Sequence, residues 1–168
     1  MSTLKRRNAL GRQELDPLDA RAARVAALDA LARRDHASED LRRKLLDKGY
    51  DAAVVAPLLE ALRGEKLLDD RRYTENFVAY HAARGQGPVR VRAHLRRLGL
   101  TGVLVEECLD AFPDWIVQLR KARHKKFGAQ LPTTYADKQR QAQFLGYRGF
   151  TGAQIRMALG LDIDLDAD

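Results

Sequence analysis

The sequence contains a single cysteine, Cys108, in 168 residues. One thiol excludes an internal disulfide and a thiolate cage for a metal. Leu104, Val105 and Leu109 surround it at helical spacing, and no adjacent basic residue is there to activate it, so it reads as a small core residue. Valine and isoleucine are sparse beside alanine, leucine and arginine, and aromatics make up only 7%. That balance favours helix over strand. No apolar run approaches the roughly 18 residues of a membrane span, and the N-terminus lacks a signal-peptide core; a cytoplasmic protein is expected. His36, His81, His94 and His124 lie far apart without ligand spacing. No Walker-type loop occurs, and "GQG" before Pro88 is too little for a dinucleotide fingerprint. Asp69-Asp70 stands where helix N-terminal acids belong. The expectation is a chain with no catalytic set, cofactor or metal.

Carboxylates are also missing from particular stretches. The segment "GQGPVRVRAHLRRLGL", Gly85 to Leu100, carries four arginines and a histidine and no acid; Glu75 and Glu106 are the nearest on either side. From Trp115 to Leu161 one acid faces nine lysines and arginines. The net charge of +7 and the pI near 9.8 point to a polyanionic partner: nucleic acid, an anionic membrane surface or an acidic protein.

What is present is a repeat. Gly49-Tyr50-Asp51, Gly99-Leu100-Thr101 and Gly149-Phe150-Thr151 share one grammar at a spacing of 50 residues. Glycine ends a helix in the left-handed conformation, and the large apolar residue after it folds back on Leu45, Leu95 or Leu145. Asp51, Thr101 and Thr151 are N-caps for the next helix. Val55, Val105 and Ile155 stand at its fourth position, where a hydrophobic staple needs an apolar residue, with Leu59, Leu109 and Leu159 four further on. Each unit has a leading helix. The first is expected near residues 17–34 with Val25, Leu28 and Leu31 inward. The second spans 69–84, with Tyr73, Phe77 and Tyr80 buried or half-buried, and the third spans 114–127 and opens with Trp115. Pro57 inside a helical pattern marks a kink or an early end. Tyr135, Tyr147 and Phe150 read as core or turn residues.

The fold expected is all-α: three tandem three-helix modules in an elongated, curved array. The modules span residues 17–64, 65–112 and 113–160, after a flexible arm over 1–16 and before an acidic tail over 161–168. Position-by-position comparison of the glycine-turn helices separates scaffold from surface. Val91, Leu95 and Leu98 form an inner stripe flanked by Arg92 and Arg96 on one side and Arg90 and Arg97 on the other. Pro88 suits the first helical position, and a helix start attracts an anion. These arginines therefore form a candidate phosphate or carboxylate clamp. Arg120, Lys121, Lys125 and Arg140 extend the basic strip, while Arg123 and Lys126 lie close to the apolar stripe and must snorkel past it.

Four segments, "LARRDHASEDLRRKLLDKGYD", "LLDDRRYTENFV", "GQGPVRVRAHLRRLGL" and "RHKKFG…ADKQRQAQFLGYRGFTGAQI", resemble the bacterial RecX regulatory proteins in order and spacing over roughly residues 24–160. The resemblance implies a non-enzymatic protein that binds the RecA recombinase and its filament on single-stranded DNA. It implies restraint of strand exchange and the coupled ATPase, and so a role in recombination, DNA repair and the SOS response. A monomer lying along the filament fits the basic strip. The residues also permit an alternative, a helix-turn-helix-like transcriptional regulator, although no single helix stands out as a base reader.

Overall fold

In the computed structural model, residues 15–160 are described. Nine helices occur among them and no strand: α1 Ala20–Arg33, α2 Ser38–Asp47, α3 Ala52–Gly64, α4 Asp70–Ala83, α5 Pro88–Arg97, α6 Val103–Ala111, α7 Trp115–Phe127, α8 Tyr135–Tyr147 and α9 Gly152–Leu159. Most of the expected arm over 1–16 and all of the expected tail over 161–168 lie outside the described residues. The chain divides into two compact units, one ending at Asp70 and one beginning at Arg71.

The repeated turns are built as their residues dictate. Gly49, Gly99 and Gly149 have φ of +99°, +80° and +88°. The amide of the following residue donates to the carbonyl five before it: Tyr50 to Leu45, Leu100 to Leu95 and Phe150 to Leu145, at 3.0–3.2 Å. These are paired C-terminal caps that satisfy carbonyls the helix would leave orphaned. Leu45, Leu95 and Leu145 are fully buried, with Tyr50, Leu100 and Phe150 folded over them. Asp51 caps α3 through the Ala53 amide, and Thr151 forms a reciprocal capping box with Gln154. Thr101 does not cap. Gly102, at φ +81°, takes the cap position of α6, and the helix starts one residue late. Helix α3 runs on through Pro57 to Gly64.

The first unit is α1–α3. Leu41 and Leu45 of α2 and Val55, Leu58, Leu59 and Leu62 of α3 fill its core. α1 contributes Ala23, Ala27 and Ala30, with Leu31 half-buried and packed against the core as expected; of the other larger residues expected inward, Val25 is 60% exposed and Leu28 is also exposed. Alanines at i, i+4 and i+7 form one face. Their small side chains bring the α1 backbone close to α2 and α3, and Val25 and Leu28 turn outward. Asp70 accepts from the Ser38 amide at 2.7 Å, so this acid caps the start of α2. Arg24 reaches across from α1 to Glu65 at 2.7 Å.

The second unit holds α4–α9. Its leading helix α4 follows the same small-residue logic, burying Thr74, Val78 and Ala82. Tyr73 and Phe77 are half-buried, but Tyr80 is exposed. Tyr135 and Tyr147 are exposed as well, at 79% and 75%, which rules out the core alternative for them; Tyr147 ends α8 directly before the Arg148-Gly149 turn, and Phe150 is buried. Trp115 is buried and its indole N–H donates to the Leu109 carbonyl at 2.9 Å. Cys108 is buried beside Leu109; burial first, then the Glu75 charge, pushes its thiol up, away from the reactive thiolate.

His81 on α4 packs against Phe77 and meets His94 of α5 edge-on, with ring centroids 5.4 Å apart. Burial first, then the nearby His94 and Arg84, hold the His81 imidazole below its ordinary range, against the raising effect of the hydrogen bond that His81 Nδ1 donates to Gln86 Oε1. Burial first, then Arg97 and Arg90, do the same for His94. The unfolded chain therefore takes up these protons before the folded one does. Their contribution to stability is complete above the unfolded histidine pKa of about 6.5 and is lost as pH falls through the lower folded values. Thermal melts between pH 7.5 and 5.5 are expected to show a falling midpoint, and His94→Gln is expected to flatten that fall.

Candidate polyanion-binding surface

Pro88 occupies the first turn of α5, as its sequence position indicates. The start of that helix is not open to an anion, however. The Gly87 amide donates to the Arg148 carbonyl at 2.8 Å and the Val89 amide to the Gly149 carbonyl at 3.0 Å. The α8–α9 turn thus fills the place an anion would take, carbonyl ends facing amide ends. This close approach depends on two glycines. A Cβ on Gly87 would lie 2.3 Å from the Gly149 backbone, and one on Gly149 would lie 2.4 Å from the Arg90 Cβ.

The arginines of α5 differ in their surroundings. Arg92 is not uncompensated. Its Nε and Nη2 donate to Glu106 Oε1 and Oε2, each at 2.7 Å. The Arg92 hydrogen bonds hold the Glu106 carboxyl below the usual carboxylate range. Arg90 is exposed and its Nη1 donates to the Tyr147 carbonyl at 3.2 Å. Arg97 is exposed beside His94. Arg96 is exposed and has no carboxylate partner among the described residues. On α7, Arg120, Lys121 and Lys125 are exposed. Arg140 on α8 is partly neutralised, with Nη2 2.9 Å from Asp137 and its guanidinium over the Phe127 ring.

Lys121 and Lys125 come together with three cations outside the expected strip. A cleft of about 490 Å³ opens between α4, α7 and α8, and Arg84, Lys121, Lys125, Lys126 and Arg148 all line it. None of its lining residues is acidic. Arg84 and Arg148 have a shared sequence signal. Each immediately precedes a left-handed glycine, Gly85 or Gly149, just past the end of a helix, where a cation is favoured by the helix dipole.

Arg123 takes a different role from the snorkelling one expected. It is buried, and its guanidinium donates to the carbonyls of Gly128, Ala129 and Gln130 at 2.9–3.2 Å and to Gln141 Oε1 at 3.4 Å. It ties the loop after α7 to α8.

Fold and surface together define a protein of tandem three-helix modules whose second unit is rich in unneutralised cations. Family models for RecX match all three modules in order: the first three-helix domain over residues 23–62, the second over 69–109 and the third over 116–159. The chain belongs to the RecX family of regulatory proteins. It is 47% identical to the regulatory protein RecX of Halorhodospira halophila over 82% of this chain and 86% of that one. The regulatory protein RecX of Ectopseudomonas mendocina is 39% identical, with 84% and 95% covered. A crystal structure of RecX from Lactobacillus salivarius superposes with a TM-score of 0.75 at 18% identity, covering 84% of this chain and 95% of that one. Another, of a regulatory protein RecX, gives 0.71 at 25% identity, with 90% and 81% covered. Among the described residues no helix is long and apolar enough to cross a membrane.

Proposed function

We propose that the chain binds the RecA recombinase and its filament on single-stranded DNA and restrains strand exchange and the ATP hydrolysis coupled to it. It thereby modulates recombination, DNA repair and the SOS response. It acts in the cytoplasm as a monomer, without cofactor and without catalysing a reaction of its own. The observation that carries this reading is the match of all three modules, in order, to one family of regulators.

The surface supports it chemically. Arg90, Arg96, Arg97, Arg120, Lys121 and Lys125 give the second unit exposed cations suited to DNA phosphates and to acidic recombinase side chains. Arg92 and Arg140 join them once their carboxylates are displaced or exchanged for phosphate. The test is strand exchange by a purified recombinase at increasing concentrations of the chain. Wild type is expected to inhibit; Arg96→Glu is expected to weaken inhibition about tenfold by putting an acid on the contact face. Undiminished inhibition by that variant would move the contact away from α5.

The Arg92–Glu106 pair gives a gain-of-function prediction. An exposed pair of this kind stabilises by less than about 1 kcal/mol, so Glu106→Gln should fold normally. Freed from its partner, Arg92 can reach a phosphate. The log–log salt dependence of single-strand binding is expected to steepen by about 0.7, the value of one added phosphate contact.

A further inference from the structure

We propose that the cleft between α4, α7 and α8 seats the phosphodiester backbone of a single nucleic-acid strand, held by Arg84, Lys121, Lys125, Lys126 and Arg148. This deepens the reading above and rests on it in taking single-stranded DNA as the polyanion.

Charge is the first observation. Some cations of the same unit meet acids: Arg71 pairs with Glu107, Arg92 with Glu106 and Arg140 with Asp137. Around the cleft five cations converge, and none of them has a carboxylate partner among the described residues. Like charges gathered around one space repel, and an anion entering it relieves that repulsion.

Shape is the second. The floor is made of the small residues Ala83, Gly85 and Ala122. Gly85 has φ +73°, and a Cβ there would stand 3.0 Å from the Ala122 Cβ. Any larger residue would fill the hollow. A cleft of about 490 Å³ is concave and narrow. Duplex DNA is read the other way round, by a convex helix or ribbon entering a groove about 12 Å wide. A single strand presents its phosphates and sugars without a second strand to exclude.

Preorganisation is the third. The Arg84 guanidinium stacks on the Tyr80 ring at 3.6 Å. Arg148 Nη1 donates to the Arg84 carbonyl at 3.3 Å, and its guanidinium lies over Phe144 at 5.2 Å. Two of the five cations are thus held before any ligand arrives, which reduces the ordering cost of binding. Lys121 and Lys125 stand one turn apart on α7, a rise of about 6 Å, and form a row suited to successive phosphates instead of one isolated anion. Gln118 is the sole uncharged hydrogen-bonding side chain in the lining, so the site follows the backbone and reads little sequence.

The test uses the full chain and fluorescein-labelled oligothymidylate of about 20 nucleotides, longer than a typical single-strand site, followed by anisotropy at several salt concentrations. Wild type is expected to bind without recombinase. Lys121→Ala/Lys125→Ala, both at exposed helix positions, is expected to bind about tenfold more weakly, with a salt slope shallower by about 1.4. Oligoadenylate should bind within about threefold of oligothymidylate. Unchanged affinity and slope in the double variant, preference for duplex over strand, or no binding by wild type would each overturn the cleft. Strand-exchange inhibition is read in parallel. A chain that inhibits recombinase but binds no strand refutes this site and leaves the regulator reading standing; one that binds strand through the cleft but leaves recombinase untouched does the reverse.

Discussion

Gly149→Ala is expected to destabilise the second unit by about 3 kcal/mol or more. Three costs combine. A left-handed backbone costs an L-residue about 1–2 kcal/mol, and Gly149 stands at φ +88°. The new Cβ would lie 2.4 Å from the Arg90 Cβ and 2.6 Å from its amide nitrogen, so the backbones must separate. Separation breaks the Gly87–Arg148 and Val89–Gly149 hydrogen bonds, each worth about 1 kcal/mol net. Gly49→Ala provides the control, because Gly49 has φ +99° but only Leu15 Cδ2 at 3.4 Å from a Cβ. That variant should lose only the conformational part, about 1–2 kcal/mol. Urea unfolding of both variants checks the difference; equal losses would mean that the contact between the α8–α9 turn and α5 contributes nothing.

Arg123→Ala is the second large effect, expected near 3 kcal/mol. Arg123 is only 6% exposed and has no carboxylate partner among the described residues; its guanidinium is satisfied by three carbonyls and one amide oxygen. Truncation strands those acceptors, at about 1–3 kcal/mol for the buried ones, and leaves a cavity besides. Arg123→Lys keeps the charge but not the planar fork, so it should recover only part of the loss. Amide exchange over residues 128–134 should rise in Arg123→Ala well before exchange in α5 does. A neutral result in urea would show that this loop is held by other contacts.

The two variants also mark what was legible in the sequence. The three glycine turns could be read because their chemistry is local: a left-handed glycine, an apolar residue behind it, a leucine beneath. Thr101 failed as a cap because Gly102 was available one residue later with the required freedom. The leading helices were harder. Periodicity marked Val25 and Leu28 by size, but close helix approach selected Ala23, Ala27 and Ala30. Hydropathy cannot choose between a bulky face and a close-packing one.

Charge was legible in amount and not in pairing. Arg92 and Glu106 stand seven residues on either side of Gly99, so a helical hairpin folded at that glycine brings them opposite each other. Symmetry about the turn would have found the pair; scanning for acids nearby in sequence did not. The cleft had no such signal, since its cations arrive from α4, α7 and α8. Arg123 was hidden because a buried arginine and a solvated one look alike in a basic stretch.

Residues that keep the second unit folded and residues that give it exposed charge are largely separate here. Gly87, Gly149 and Arg123 hold the scaffold, while Arg96, Lys121 and Lys125 change charge without touching the core. Binding variants should therefore melt like wild type. The most direct measurement is ATP hydrolysis by a purified recombinase on single-stranded DNA, titrated with the chain to saturation. The account predicts that hydrolysis falls, and that the Lys121→Ala/Lys125→Ala variant shifts the midpoint to higher concentration at unchanged thermal stability. Hydrolysis that stays constant at saturating wild-type chain would contradict it.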